Sequence, residues 1–134
     1  MKINYAALYA IALGVFVLFD GVWLGVVSKK LYAEQLGKLM TDNVKWFAAG
    51  LFYTLFIGLL IYFVIAPALQ SGSMKDAAVR GALFGLATYM TYDLTNYATL
   101  KGFPGLIVVV DILWGMTLSL LVSVVTWSLY KRLF

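Results

Sequence analysis

The chain of 134 residues contains no cysteine and no histidine. The absence of cysteine excludes disulfides, reactive thiols and cysteine-ligated metals, and the absence of histidine excludes histidine-ligated haem and the usual zinc sites. Histidine is also the commonest general base near neutral pH. Any chemistry must therefore use carboxylates, hydroxyl groups, lysines, aromatic side chains or a bound cofactor, and the sequence indicates no particular cofactor.

Charged residues are also scarce. They make up 12% of the chain, whereas 63% of the residues are hydrophobic and the mean hydropathy is +0.93. A soluble domain carries roughly a quarter charged residues, so the composition predicts a membrane protein in contact with lipids. Glycine-rich phosphate loops and nucleotide fingerprints are missing. The basic loops suit anionic lipid better than nucleic acid, and no nucleic-acid partner is expected.

Four apolar runs are long enough to cross a hydrocarbon core of roughly 30 Å at about 1.5 Å per residue. They cover residues 5–27, 46–69, 77–100 and 105–130. Helices are expected because lipid cannot satisfy an open strand edge. We therefore predict an all-α polytopic membrane protein, with residues 1–134 forming a single transmembrane domain folded as a compact four-helix bundle. The first run is interpreted as a retained span, because Asp20 lies inside it.

The connection between the first two runs, residues 28–45, combines four lysines with apolar residues at helical spacing, among them Leu31, Tyr32 and Leu36. This pattern is typical of an amphipathic helix lying at the membrane interface. An ordinary solvated connector is the alternative interpretation.

Loop charges leave the membrane orientation undecided. If the four runs alternate in direction, five Lys and Arg residues lie on each side of the membrane, and the positive-inside rule gives no preference. The free amino group adds one charge to the side that carries both termini, which favours cytoplasmic termini. The tie also allows a homodimer of antiparallel subunits.

Three of the six acidic residues, Asp20, Asp93 and Asp111, lie inside the apolar runs. An aspartate at the centre of a span costs about 2.5 to 3.5 kcal/mol on insertion scales, so it is normally turned inward, paired or protonated. Counted from the ends of the runs, all three lie roughly 10 to 13 Å inside the same membrane face. Carboxylates held close together cannot all ionise, and lysines of the neighbouring loops could neutralise one of them.

Small residues recur at helical spacing on the same faces as these acids, and small residues let helices approach closely in lipid. We therefore expect each of these faces to point into the bundle. The predicted interior faces contain Gly14, Val17, Asp20, Gly21 and Gly25 in the first run, Gly50, Thr54 and Gly58 in the second, Gly81, Gly85, Tyr89, Asp93, Asn96 and Tyr97 in the third, and Asp111, Trp114, Gly115, Leu118 and Ser119 in the fourth.

The predicted polar site combines the three acids with polar and aromatic neighbours of similar depth. Trp23 and Trp114 each follow an in-span aspartate by three residues, where an indole can line a cavity or donate its N–H group. The site residues are Asp20, Asp93, Asp111, Asn96, Thr95, Tyr53, Tyr89, Tyr92, Trp23 and Trp114. Such a layer either binds a proton, cation, ligand or lipid head group, or only holds the helices together.

Three segments, FDGVWLG, GALFGLATYMTYDLTNYATLKGFPG and VVDILWGM, resemble the bacterial membrane-protein family known as domain of unknown function 2177. The resemblance covers nearly the whole chain, and TYDLTN is its most specific part. It implies a small four-span protein of the bacterial cytoplasmic (inner) membrane. The motif positions of the family correspond to Asp20, Trp23, Tyr92, Asp93, Thr95, Asn96, Asp111 and Trp114.

Three functional hypotheses follow from the polar layer. The first is binding or transport of a small molecule, cation or lipid head group, coupled to a proton. The second is a lipid-modifying enzyme in which Asp20, Asp93 and Asp111 hold a divalent cation such as Mg²⁺ through oxygen ligands. The third is a non-catalytic subunit of a membrane assembly.

Overall fold

The computed structural model describes residues 2–134, and these residues form helices and connections without any strand. Helix α1 (Tyr5–Val22) continues into a π-helical turn (Trp23–Val27) and is followed by the short helix α2 (Lys29–Leu36). Helix α3 (Trp46–Leu60), a second π-helical turn (Ile61–Ile65) and helix α4 (Ala66–Ser71) follow one another without a break, and the long helices α5 (Met74–Thr99) and α6 (Gly105–Leu133) complete the chain. The all-α prediction is confirmed.

Short polar residues and glycines set the helix boundaries. The Asn4 side chain accepts a hydrogen bond from the Ala7 N–H at 3.2 Å and caps α1, and the Ser73 hydroxyl caps α5 by accepting from the Asp76 N–H at 3.1 Å. Such caps satisfy N–H groups that have no partner inside the helix. Gly72 ends α4 with a φ of 71°, a left-handed conformation that glycine adopts without a steric cost.

Three helical segments are long and apolar enough to cross a membrane: Tyr5–Val27, Trp46–Ser71 and Gly105–Leu133. With 26 residues, α5 is about 39 Å long, which is sufficient in length. It is less apolar because it begins with Lys75, Asp76 and Arg80 and carries threonines, Asp93 and Asn96 towards its other end. The prediction of a polytopic helical membrane protein is confirmed, and the fourth crossing stays a prediction.

Successive long helices run in alternating directions. At one end of the bundle, the Tyr130 hydroxyl accepts from the Asn4 N–H at 2.7 Å, and the Trp127 indole donates to the Ala68 carbonyl at 3.0 Å. The beginning of α1, the end of α4 and the end of α6 therefore lie together. Large apolar side chains of α1, α3, α4 and α6 fill the bundle on this side of the acids, among them Leu8, Leu60, Leu69 and Val122.

Helices α5 and α6 approach each other through glycine. A Cβ atom placed on Gly85 would clash with the backbone of Gly115, and one placed on Gly115 would clash with the ring of Tyr89. A Cβ on Gly81 would lie 2.7 Å from the Ser119 carbonyl oxygen. The small residues of these two helices therefore face each other, as the sequence predicts for this pair.

Apart from Asp20, the predicted interior faces of the first two spans are wrong. Asp20 is buried, but it shares its buried face with Leu8, Ala12, Val15 and Phe16. Val17 is 54% exposed, and no atom lies within 4 Å of a Cβ built on Gly14, Gly21, Gly25, Gly50 or Gly58. Thr54 is also exposed and donates to the Gly50 carbonyl of its own helix. In these two spans large apolar side chains make most of the helix contacts, and the glycines of the predicted faces make none.

The connection between the first two spans contains a helix, α2, and is not an ordinary solvated connector. Its side chains Leu31, Tyr32 and Leu36 pack against a small apolar cluster formed by Phe103, Ile107 and Val108. Its lysines are exposed. Helix α2 is therefore amphipathic, and its apolar face lies against the beginning of α6.

Candidate functional site

Asp20 is the best-satisfied of the three acids inside the bundle. Its side chain is 7% exposed and accepts hydrogen bonds from the Tyr53 hydroxyl at 2.9 Å and from the Trp114 indole N–H at 3.2 Å. These donors come from α3 and α6, so the carboxylate connects three helices. Two donors fix the orientation of the carboxylate, because each occupies a different oxygen atom.

Asp111 connects α6 to the short helix α2. The Tyr32 hydroxyl donates to the Asp111 carboxylate at 2.6 Å and accepts from the Trp23 indole N–H at 3.3 Å. The rings of Trp23 and Trp114 are stacked, with centroids 4.4 Å apart and planes 8° from parallel. Burial raises the pKa of the Tyr32 phenol, and the hydrogen bond to Asp111 raises it further. Tyr32 is therefore a neutral hydrogen-bond donor at physiological pH.

Asp93 is the least satisfied acid. Its side chain is 0% exposed, and among residues 2–134 neither of its carboxylate oxygens has a hydrogen-bond partner. Its carboxyl group is a neighbour of the Asp111 carboxyl group. A buried polar group without a partner is costly, and two neighbouring carboxyl groups readily share one proton.

A cavity of about 310 Å³, which we name the acidic cavity, joins two of the three acids. Asp20 and Asp111 lie in its wall, and six of the ten other lining residues are aromatic. The other lining residues are Tyr32, Tyr53, Tyr89, Tyr92, Phe52, Trp114, Leu24, Leu36, Met40 and Ile107. The acidic cavity is thus lined mainly by aromatic residues and contains two carboxylates in its wall.

A second cavity of about 310 Å³, which we name the lateral cavity, lies beside the acidic cavity. Its lining residues are Phe52, Phe56, Thr88, Tyr89, Tyr92 and Asp111. Four of these residues also line the acidic cavity. The two spaces therefore meet at shared walls on α3, α5 and α6.

No basic side chain in the described part of the chain pairs with these acids. The only ion pair among residues 2–134 joins Lys30 to Glu34 at 3.8 Å on the surface. The loop lysines therefore do not neutralise the in-span carboxylates, contrary to one expectation from the sequence. Within the same residues, no group of three acidic side chains is placed so that it could hold a metal ion, so Asp20, Asp93 and Asp111 do not form a shared metal site in this arrangement.

The predicted site residues occupy four different environments. Asp20, Asp111, Tyr53, Tyr89, Tyr92 and Trp114 line the acidic cavity. Asp93 and Trp23 lie outside its wall and contact it through Asp111 and Trp114. Asn96 lines a third cavity, closer to the end of α5. Thr95 is exposed, and its hydroxyl donates to the Thr91 and Tyr92 carbonyls of its own helix.

Tyr32 and Phe52 belong to the site but are absent from the residues predicted for it. Tyr32 reaches Asp111 only because α2 packs back on α6. The sequence places Tyr32 on the apolar face of an amphipathic segment, which is the one signal that could have identified it. Phe52 carries no distinctive signal, because it is one of several aromatic residues in an uncharged span.

Comparison with known proteins identifies the family of the chain. No curated protein and no solved structure matches it. The sequence model of a family described as "Predicted membrane protein (DUF2177)" matches residues 5–128. This range includes every residue that lines the acidic and lateral cavities. The chain therefore belongs to the DUF2177 family of predicted membrane proteins.

Proposed function

We propose that the protein binds a small organic cation in the acidic cavity and exchanges it for a proton held by Asp93 and Asp111. The observation that carries this proposal is that three in-span carboxyl groups have no basic partner among the described residues. An ionised carboxylate away from water is costly unless a positive charge or a proton neutralises it. The neutralising species must then come from outside the chain.

The lining favours an organic cation over a metal ion. Six aromatic rings surround the acidic cavity, and aromatic faces attract quaternary ammonium groups. Hard divalent cations instead require six or more oxygen ligands in close array, and the described residues offer no group of three acids for one. The lipid-modifying enzyme with an aspartate-held divalent cation therefore has less support than cation binding.

A purely architectural role has less support for a different reason. Polar residues that only hold helices together are expected to be satisfied by one another. Asp20 fits that description, since it has two donors. Asp93 does not fit, since both of its oxygens lack a partner. The assembly-subunit hypothesis would also leave the cavity beside Asp111 without a purpose.

We also propose where the protein lies in the cell. We place it in the bacterial cytoplasmic membrane with four crossings and with the acidic cavity near the face that carries residues 29–45 and 101. The tied loop charges permit a single orientation or a homodimer of antiparallel subunits.

Binding of tetramethylammonium to the protein in nanodiscs of zwitterionic lipid tests the cation site. Isothermal titration calorimetry should show that Asp20→Asn and Asp111→Asn each weaken binding about tenfold or more, since each removes a charge that the cation faces. Asp42→Asn is the matched control, because Asp42 is exposed in the loop before α3, and its Kd should stay within about twofold. Equal affinities in all four proteins would contradict the proposal.

A further inference from the structure

We infer that the cation is the head group of an amphiphile whose alkyl chain leaves the acidic cavity through the lateral cavity and stays in the surrounding lipid. This inference rests on the proposed function of the acidic cavity and goes beyond it by specifying the class of ligand. It is carried by the shape of the bundle between α3 and α5.

The lateral cavity provides an apolar continuation of the acidic cavity. The two share Phe52, Tyr89, Tyr92 and Asp111, and the lateral cavity adds Phe56 and Thr88. The only ionisable carboxylate in the lateral cavity is Asp111, at the point where the spaces meet. A molecule that occupies both would have its charged end near Asp20 and Asp111 and its apolar part between aromatic rings.

The gap between α3 and α5 opens sideways. Helix α5 packs on Ile61–Ile65 and on α4, whereas it makes no extensive contact with Trp46–Leu60. The Phe56 ring closes the inner end of the gap, with its centroid 5.3 Å from that of Phe84. At the outer end, Phe52 is 47% exposed and Tyr92 is 57% exposed.

This opening faces lipid. Phe52 lies six residues after the beginning of α3, which corresponds to about 9 Å of helix, and the segment is apolar enough to cross a membrane. Side chains at that depth meet hydrocarbon and not water. An alkyl chain can therefore remain in the lipid while its head group enters the protein.

Helix α2 borders the acidic cavity on the side away from the lateral cavity. The Tyr32 hydroxyl is bonded to Asp111 at 2.6 Å, and Leu36 and Met40 form part of the wall of the acidic cavity. Each cavity measures about 310 Å³, at the lower end of the roughly 300 to 1,000 Å³ usual for ligand sites. The acidic cavity therefore suits a head group and leaves no room for a long chain.

Substitution of Thr88 tests the lateral route without altering the acidic cavity. Thr88 lines only the lateral cavity, and its hydroxyl donates to the Phe84 carbonyl of its own helix. Thr88→Phe fills this space and removes no bond between helices. Thr91→Phe is the matched control, because Thr91 is exposed on the same helix and its hydroxyl also donates to a carbonyl one turn earlier, that of Ala87.

The measurement compares the Kd values of tetramethylammonium and octyltrimethylammonium for the protein in zwitterionic nanodiscs. Thr88→Phe should weaken octyltrimethylammonium binding about tenfold and leave tetramethylammonium within about twofold, while Thr91→Phe changes neither. If unfolding temperature or helical circular dichroism shows that Thr88→Phe disturbs the fold, Thr88→Leu should give the same selective loss with a smaller side chain.

The possible failures are distinguishable. If tetramethylammonium binds in an Asp111-dependent way but Thr88→Phe weakens both cations equally or neither, the lateral route is overturned and the cation site stands. If wild-type protein binds neither cation, or binds both equally well after Asp111→Asn, the cation site itself is overturned and the amphiphile inference falls with it.

Discussion

At the scale of single residues, the three in-span aspartates differ in what they are bonded to. Asp20 accepts from two donors, Asp111 from one, and Asp93 from none of the described residues. A hydrogen bond to an ionised group is worth about 1.5 to 3 kcal/mol, and a buried group without one carries its desolvation cost unrelieved. Asp20 should therefore stabilise the folded protein, whereas Asp93 should destabilise it.

Replacing each acid by its amide tests that difference. Asp93→Asn should leave the protein as stable as wild type or more stable, because the amide keeps the volume, removes a buried acid that has no other partner, and can donate its N–H to the neighbouring Asp111 in place of a shared proton. Asp20→Asn should destabilise it by about 1 to 3 kcal/mol, because the new NH₂ group meets a donor, either the Tyr53 hydroxyl or the Trp114 indole. Unfolding by denaturant in detergent, followed by circular dichroism, measures both. A larger loss for Asp93→Asn than for Asp20→Asn would contradict this account.

The burial of Asp20 and Asp93 could be predicted from the sequence, but their hydrogen-bond partners could not. Depth follows from counting residues along helices of known rise, and the cost of a carboxylate in lipid predicts that each acid faces inward. Hydrogen-bond partners depend on how helices rotate about their axes and on where connections fold back. Tyr32 is the clearest case, since it meets Asp111 across 79 positions of sequence.

At the scale of elements, α5 differs most from the other long helices in its polarity. It packs along α6 through Gly81, Gly85 and Gly115, and it begins beside the ends of α4 and α6. Because it contains more polar residues, α5 is less apolar than the other three long segments. Because α5 is long enough and lies antiparallel to a spanning partner, we predict that it crosses the membrane.

Side-specific labelling of single cysteines tests this crossing, and the chain has no cysteine of its own to interfere. Gln35→Cys, Lys75→Cys and Lys101→Cys lie at exposed positions in α2, at the beginning of α5 and after its end. In sealed vesicles an impermeant maleimide should label positions 35 and 101 from one side and position 75 from the other. Labelling of positions 75 and 101 from the same side would show that α5 does not cross.

Helix boundaries depend on local signals in the sequence, whereas helix faces depend on the neighbouring helices. Run length, caps and glycines fix where a helix begins and ends, and these signals are local. The face of a helix that is buried depends on which set of residues along it packs better against the neighbouring helices. In α1, one face carries glycines and another carries Leu8, Ala12 and Phe16. The second face is buried, because larger side chains make more van der Waals contacts. In α5 and α6 the face that carries glycines is the buried one, because the backbones of these two helices lie close together there.

At the scale of the whole molecule, the bundle is asymmetric along its length. One end is filled by large apolar side chains and tied by the bonds of Tyr130 and Trp127. The other end holds the acids, both cavities and α2. Such a division places a tightly packed layer behind the site. In the proposed function, a ligand or proton would therefore reach the acids from the side of α2 or from the lipid.

Proton release on cation binding distinguishes proton exchange from simple cation binding. Tetramethylammonium is added to the protein in weakly buffered nanodiscs containing a pH indicator, and protons released are compared with cations bound. The account predicts about one proton per cation for wild-type protein, with affinity rising as the pH rises because protons compete for the acids. Asp93→Asn should still bind the cation but release no proton. Binding to wild-type protein without proton release, or unchanged release from Asp93→Asn, would contradict the exchange.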